Sequence, residues 1–133
     1  MSLSDAQRRH IVSVRLVNAE QMLVDASSML SSGSLRSAAN RCYYAVFYAA
    51  SALAMRDKQT FRKHSGVISY FHAAYVKTGR LPKELGAVFQ RAFNNRCEAD
   101  YDDLVELRQD ELSEMLQQAR RFVAETKSLL QAT

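Results

Sequence analysis

Apolar positions recur at three- and four-residue intervals along most of the chain, the spacing of helices that each bury one face. Val12, Leu16, Ala19, Leu23, Ala26 and Leu30 trace one such face. They predict a first helix from about Ser4 to Ser31, opened by a capping box in Ser4-Asp5-Ala6-Gln7. Ser31-Ser32-Gly33-Ser34 is the turn, with Gly33 as the C-terminal cap. The next stretch, Ser37 to Met55, is apolar or aromatic nearly throughout, and from Cys42 to Met55 it has no charge. The uncharged run from Cys42 to Met55 is shorter than the roughly 20 residues needed to span a bilayer, and the stretch predicts a second helix, from Ser34 or Leu35, packed on most of its sides. Its one full charge, Arg41, needs a partner if buried. A third helix is predicted over Lys63 to Lys77 on Val67, Ile68, Phe71, Ala74 and Tyr75. A fourth opens at Leu81-Pro82, packs through Leu85, Val88, Phe89, Ala92 and Phe93, and ends near Cys97. A last helix runs from about Asp103 to Leu130. The fold class is all-α, an up-and-down bundle of about five helices.

Composition agrees with this pattern. The chain has 133 residues, enough for one core and one domain, taken as residues 1–133. Four glycines and one proline leave little room for a many-stranded sheet. The N-terminus has no signal-peptide pattern and no apolar run of membrane length follows, so the expected location is the cytoplasm. Cys42 and Cys97 fall in helices without metal spacing and read as reduced structural thiols.

The net charge of +4 is modest, but its distribution is uneven. Between Arg56 and Arg96 stand nine bases and two acids, and between Cys97 and Glu114 eight acids and one base. The asymmetry admits two readings: attraction of nucleic acid to the basic half, or two halves that face each other within a subunit or across a dimer.

Several chemistries find no support. There is no Gly-rich phosphate loop, no zinc-ligand pairing and no flanked Ser or Cys nucleophile. His10 reads as solvated, and His64 and His72 have no carboxylate at ligand spacing. Asp100, Asp102 and Asp103 could suggest Mg²⁺, but acids at a helix start serve capping equally well. No metal and no cofactor is expected. What remains is a polar set of Arg41, His64, Arg96, Asp100 and Tyr101. Arg96 and Asp100 can pair on a continuous helix. If the helix ends between them, Asp100 is free to meet Arg41. The second arrangement is the expectation, giving a structural network of Arg41, Asp100 and Tyr101 that locks the last helix onto the second.

The order Ser37-Ala38-Ala39-Asn40-Arg41-Cys42-Tyr43-Tyr44-Ala45-Val46-Phe47-Tyr48-Ala49-Ala50, then Lys63-His64-Ser65-Gly66-Val67, then Arg96-Cys97-Glu98-Ala99-Asp100-Tyr101 resembles the HEPN family (higher eukaryotes and prokaryotes nucleotide-binding), in its small prokaryotic branch. The resemblance spans nearly the whole chain. It implies a helical bundle, a homodimer, and association with RNA or nucleotides, commonly in toxin–antitoxin pairs with a small nucleotidyltransferase. In the active HEPN ribonucleases an Arg is followed four to six residues later by a His. The pair lines a metal-independent cleft between two subunits, where His serves as acid/base and Arg binds phosphate in attack by the RNA 2′-hydroxyl. Here the Arg is Arg96, and Tyr101 stands five residues beyond it where His is expected. With an unperturbed pKa of about 10, Tyr is a poor base at neutral pH, which weighs against ribonuclease activity.

The leading expectation is therefore a homodimeric RNA-, nucleotide- or partner-binding module using Arg62, Lys63, His64, Arg91 and Arg96. The alternatives are a metal-independent endoribonuclease using Arg96 and Tyr101, with His64 alongside, and a structural adaptor with no nucleic-acid role.

Overall fold

The computed structural model describes residues 2–101, 103–104 and 106–132, and of Tyr101 the backbone alone. Among the described residues there are five α-helices and no strand. They are α1 (Asp5–Ser31), α2 (Leu35–Arg56), α3 (His64–Phe71), α4 (Lys83–Tyr101) and α5 (Gln109–Ala132). The expected all-α bundle is the observed architecture.

Local chemistry sets the first helix as expected. Ser4 Oγ accepts from the Gln7 amide at 3.1 Å, and Gln7 Oε1 accepts from the Ser4 amide at 2.8 Å. At the far end Gly33 takes a φ of 80°. The Ser34 amide then bonds the Met29 carbonyl at 2.8 Å, and the Gly33 amide bonds that of Leu30 at 3.1 Å. This is the paired closure that a left-handed residue permits.

The second helix is the centre of the bundle. Thirteen of its residues are buried, from Ala38 to Met55. Its alanines, with the fully buried Ala19 and Ala26 of α1, let backbones approach closely, and Tyr43, Val46 and Leu53 fill the remaining volume. At its end Lys58 takes a φ of 62° where glycine is usual. The same pair of closing bonds forms there, Gln59 to Ala54 at 2.9 Å and Lys58 to Met55 at 3.1 Å.

Three boundaries differ from expectation. The third helix is α-helical only to Phe71, after which residues His72–Val76 form a π-helical turn, with the Lys77 amide bonded to the His72 carbonyl at 2.8 Å. The turn brings Tyr75 inward, and Asp57 at the end of α2 accepts from the hydroxyls of Tyr75 and, at 2.7 Å, Tyr70. The fourth helix continues past Cys97 to Tyr101. The last begins at Gln109 rather than near Asp103. Arg36 of α2 donates to the Ala99 carbonyl and ties the end of α4 to the start of α2.

The extension of α4 corrects the expected Arg41–Asp100 contact. On a continuous helix Asp100 lies one turn from Arg96, and the two pair at 3.2 Å. Arg41 instead lies at the seam with α1, 4.0 Å from the Asp25 carboxylate, and donates to Asn40 Oδ1 at 2.7 Å. Its side chain is 36% exposed, so it is not the buried charge that the surrounding sequence suggests. Tyr101, the third member of the expected network, has a side chain outside the described residues, as does the whole of Asp102.

Candidate functional site

Arg96 is the residue around which a polar and aromatic cluster assembles. Its guanidinium lies over the rings of Tyr43 and Tyr44, at 5.2 and 5.5 Å from their centroids, within cation–π range. Asp100 accepts from its Nε. The Tyr43 ring is fully buried at the contact of α2 with α4, and its hydroxyl reaches out to His64 Nδ1 at 2.9 Å. His64 is the first residue of α3. Its ring packs on Phe47 at 4.1 Å between centroids and meets the face or edge of Tyr44 at 5.8 Å. The sequence folds this way because Tyr43, Tyr44 and Phe47 sit on adjacent faces of α2, one turn apart. The α2–α3 segment then returns His64 to the same turn.

Electrostatics follow from burial. Desolvation, and secondarily the nearby Arg96 charge, lowers the His64 pKa from its ordinary value of 6.5. Desolvation raises that of Tyr43, against an opposing effect of Arg96. At neutral pH the cluster thus holds a neutral imidazole, a protonated phenol and a guanidinium. With Tyr43 as donor, Nδ1 accepts and Nε2 carries the imidazole proton. Such a set can bind a phosphate through Arg96, exchange a proton at His64 and stack a base against the half-buried rings of Tyr44 and Phe47.

Of the residues singled out in the sequence, the structure gathers Arg96, Asp100 and His64. Arg62 and Lys63 are exposed immediately before His64. Arg91 is exposed and donates to Gln118 of α5, away from the cluster. Arg41 lies elsewhere, as described above, and the Tyr101 side chain is outside the described residues. Tyr43, Tyr44 and Phe47 were not singled out as site residues; the one signal they offered was a set of tyrosine hydroxyls on a buried helix that needed partners. Cys42 is buried, which pushes its thiol up to about 12 and leaves it unreactive. Among the described residues no three His, Cys, Asp or Glu side chains come together as metal ligands. Nor is any described helix long and apolar enough to cross a membrane.

Comparison with known proteins places this geometry in context. A UPF0332 protein of Thermotoga maritima is 39% identical over 113 residues, 85% of this chain and 86% of that one. Two proteins of Methanocaldococcus jannaschii are also similar. One, named "Putative toxin MJ0142", is 33% identical over 112 residues, 84% of this chain and 76% of its own. The other, "Putative toxin MJ0605", is 32% identical over 114 residues, 84% of this chain and 83% of its own. The HEPN domain model matches residues 12–129, which take in all of the Arg96–Tyr43–His64 cluster. With its helical bundle and these relatives, the chain belongs to the HEPN domain family.

Proposed function

We propose that this protein is a toxin-type HEPN module that binds RNA as a homodimer and works with a small nucleotidyltransferase as its partner. The observation that carries the RNA reading is the meeting of Arg96 and His64 across Tyr43, contributed by three different helices. Arg62 and Lys63 extend the positive surface beside it. The toxin designation of two relatives supports the module. A row of exposed valines on the outer face of α1, Val14, Val17 and Val24, supports a second copy there, because exposed apolar rows mark association surfaces. Titration of a labelled RNA at low ionic strength tests the RNA reading. Binding that Arg96→Ala weakens is expected, and absence of binding to the unaltered protein removes it.

A second reading, a metal-independent endoribonuclease, is favoured by one feature. His64 supplies a neutral imidazole beside Arg96, although no His follows Arg96 in sequence. In this reading His64 is the tautomer that donates from Nδ1 to the Tyr43 hydroxyl oxygen, leaving Nε2 free to take the 2′-hydroxyl proton as the oxygen attacks phosphorus. The 5′-oxygen leaves and takes up a proton, giving a 2′,3′-cyclic phosphate and a 5′-hydroxyl end. Arg96 binds the phosphate, and Tyr101, the residue first expected to assist, stands at the end of the same helix. Incubation with RNA in EDTA is the test: cleavage that persists unchanged in Arg96→Ala and His64→Gln would assign it to contamination.

A further inference from the structure

A cavity of about 330 Å³ opens beside His64, between α1, the second half of α2 and the segment that joins α2 to α3. Phe47 and Tyr48 form one wall and Phe61 another, while Arg15, Arg62 and His64, with Ser51, Gln59 and Thr60, line it with polar groups. None of its lining residues is acidic. Phe61 is seated by a specific contact. Its ring lies across Gly66, where an added Cβ would come within 2.7 Å of it. It also packs 5.6 Å from the Tyr70 ring, yet it stays 40% exposed. Arg15 is fixed from the other side by donating to the Ser51 carbonyl at 2.9 Å.

His64 belongs both to this cavity and to the Arg96 cluster. A phosphate held between Arg96 and His64 therefore has its adjoining nucleoside at the cavity mouth. The volume is at the lower end of small-molecule sites, about 300–1,000 Å³, which suits one base with its sugar. Aromatic walls with cations at the rim are the features that bind unpaired nucleotides, since every base offers a face to stack. A base in a duplex is already stacked and paired, and entering the cavity would cost its extrusion.

We infer that this cavity is a nucleobase subsite in which an unpaired base stacks on Phe61, so that the protein selects single-stranded over double-stranded RNA. The inference rests on the RNA reading above and names its substrate class. The chain contains no tryptophan, so Phe61→Trp introduces a single tryptophan, excited selectively at about 295 nm over the tyrosines, at the subsite. Two readouts are followed in one titration with a single-stranded 12-mer and with a blunt duplex of the same sequence. Anisotropy of labelled RNA reports binding anywhere on the protein, and tryptophan emission reports stacking at position 61. The expected result is tighter binding of the single strand, tryptophan quenching by the single strand, and loss of about tenfold in single-strand affinity in Phe61→Ala. Recovery of that affinity in Phe61→Trp separates stacking from a general loss of structure. Single-strand binding without quenching, and unchanged in Phe61→Ala, overturns the subsite while leaving the RNA reading standing. No anisotropy change at low salt overturns both.

Discussion

Burial, and secondarily the Arg96 charge, sets how His64 in the candidate site titrates. Because desolvation and Arg96 both favour the neutral imidazole, the His64 midpoint in an NMR pH titration is expected below 6.5 and is expected to rise toward that value in Arg96→Ala. The linkage has a definite sign. The unfolded chain binds more protons than the folded one between the folded His64 pKa and 6.5, so stability falls as pH is lowered through that window. His64→Gln should flatten this part of the curve, measured by denaturant unfolding across pH. Tyr43→Phe keeps the buried ring and removes the bond to His64; a loss of about 1 kcal/mol is expected. The Tyr43–His64 bond was not legible in the sequence, since 21 residues separate the partners. Arg41 drew attention because its neighbours in sequence are buried. Its position at the seam with α1, opposite Asp25, depends on how two helices rotate against each other, and no local pattern records that.

At the scale of elements, legibility tracked the strength of local signals. The capping box at Ser4, the glycine at 33 and the apolar face of α1 gave both ends of that helix. The end of α4 reads short in the sequence because Asn95-Arg96-Cys97-Glu98-Ala99-Asp100-Tyr101 looks like a compact polar cluster between helices. Yet the pair of Arg96 with Asp100 and the buried Ala99 carry the helix on. The acids before Gln109 suggested a helix start that the structure places six residues later. The π-helical turn at His72–Val76 leaves no pattern in sequence, because it rests on Tyr75 and Tyr70 converging on Asp57. Burial and the Asp57 carboxylate both raise the pKa of each tyrosine, so both donate as neutral phenols. Asp57→Ala removes the acceptor of both hydroxyls, leaving Tyr75 only the bond it accepts from Arg56 at 2.9 Å, and is expected to cost about 1–3 kcal/mol by urea unfolding. Lys58→Gly should act in the opposite direction. It relieves a left-handed conformation that costs a non-glycine residue about 1 kcal/mol, and the unfolding midpoint should rise.

At the scale of the whole molecule, the charge asymmetry acquires a position. The acidic stretch meets the basic one at Arg96–Asp100, while Arg108 turns back on its own neighbours Asp110 and Glu111. Arg62 and Lys63 stay exposed beside His64, where a polyanion would approach. The valines on the outer face of α1 lie on the side opposite its buried alanines, so a dimer formed through them leaves the α1–α2 packing intact. Sedimentation is expected to show a species of twice 15.0 kDa at micromolar concentration, and Val17→Glu should return it to the monomer.

The central claim is that Arg96 holds an RNA phosphate. It is tested most directly by measuring the affinity for a single-stranded RNA across a series of salt concentrations, for the unaltered protein and for Arg96→Ala. The predicted result is a linear fall of log affinity with log salt. Arg96→Ala should bind more weakly at every concentration, with a slope shallower by about 0.7, the value for one phosphate contact on a single strand. Coincident lines for the two proteins, or no binding at the lowest salt, would contradict the account.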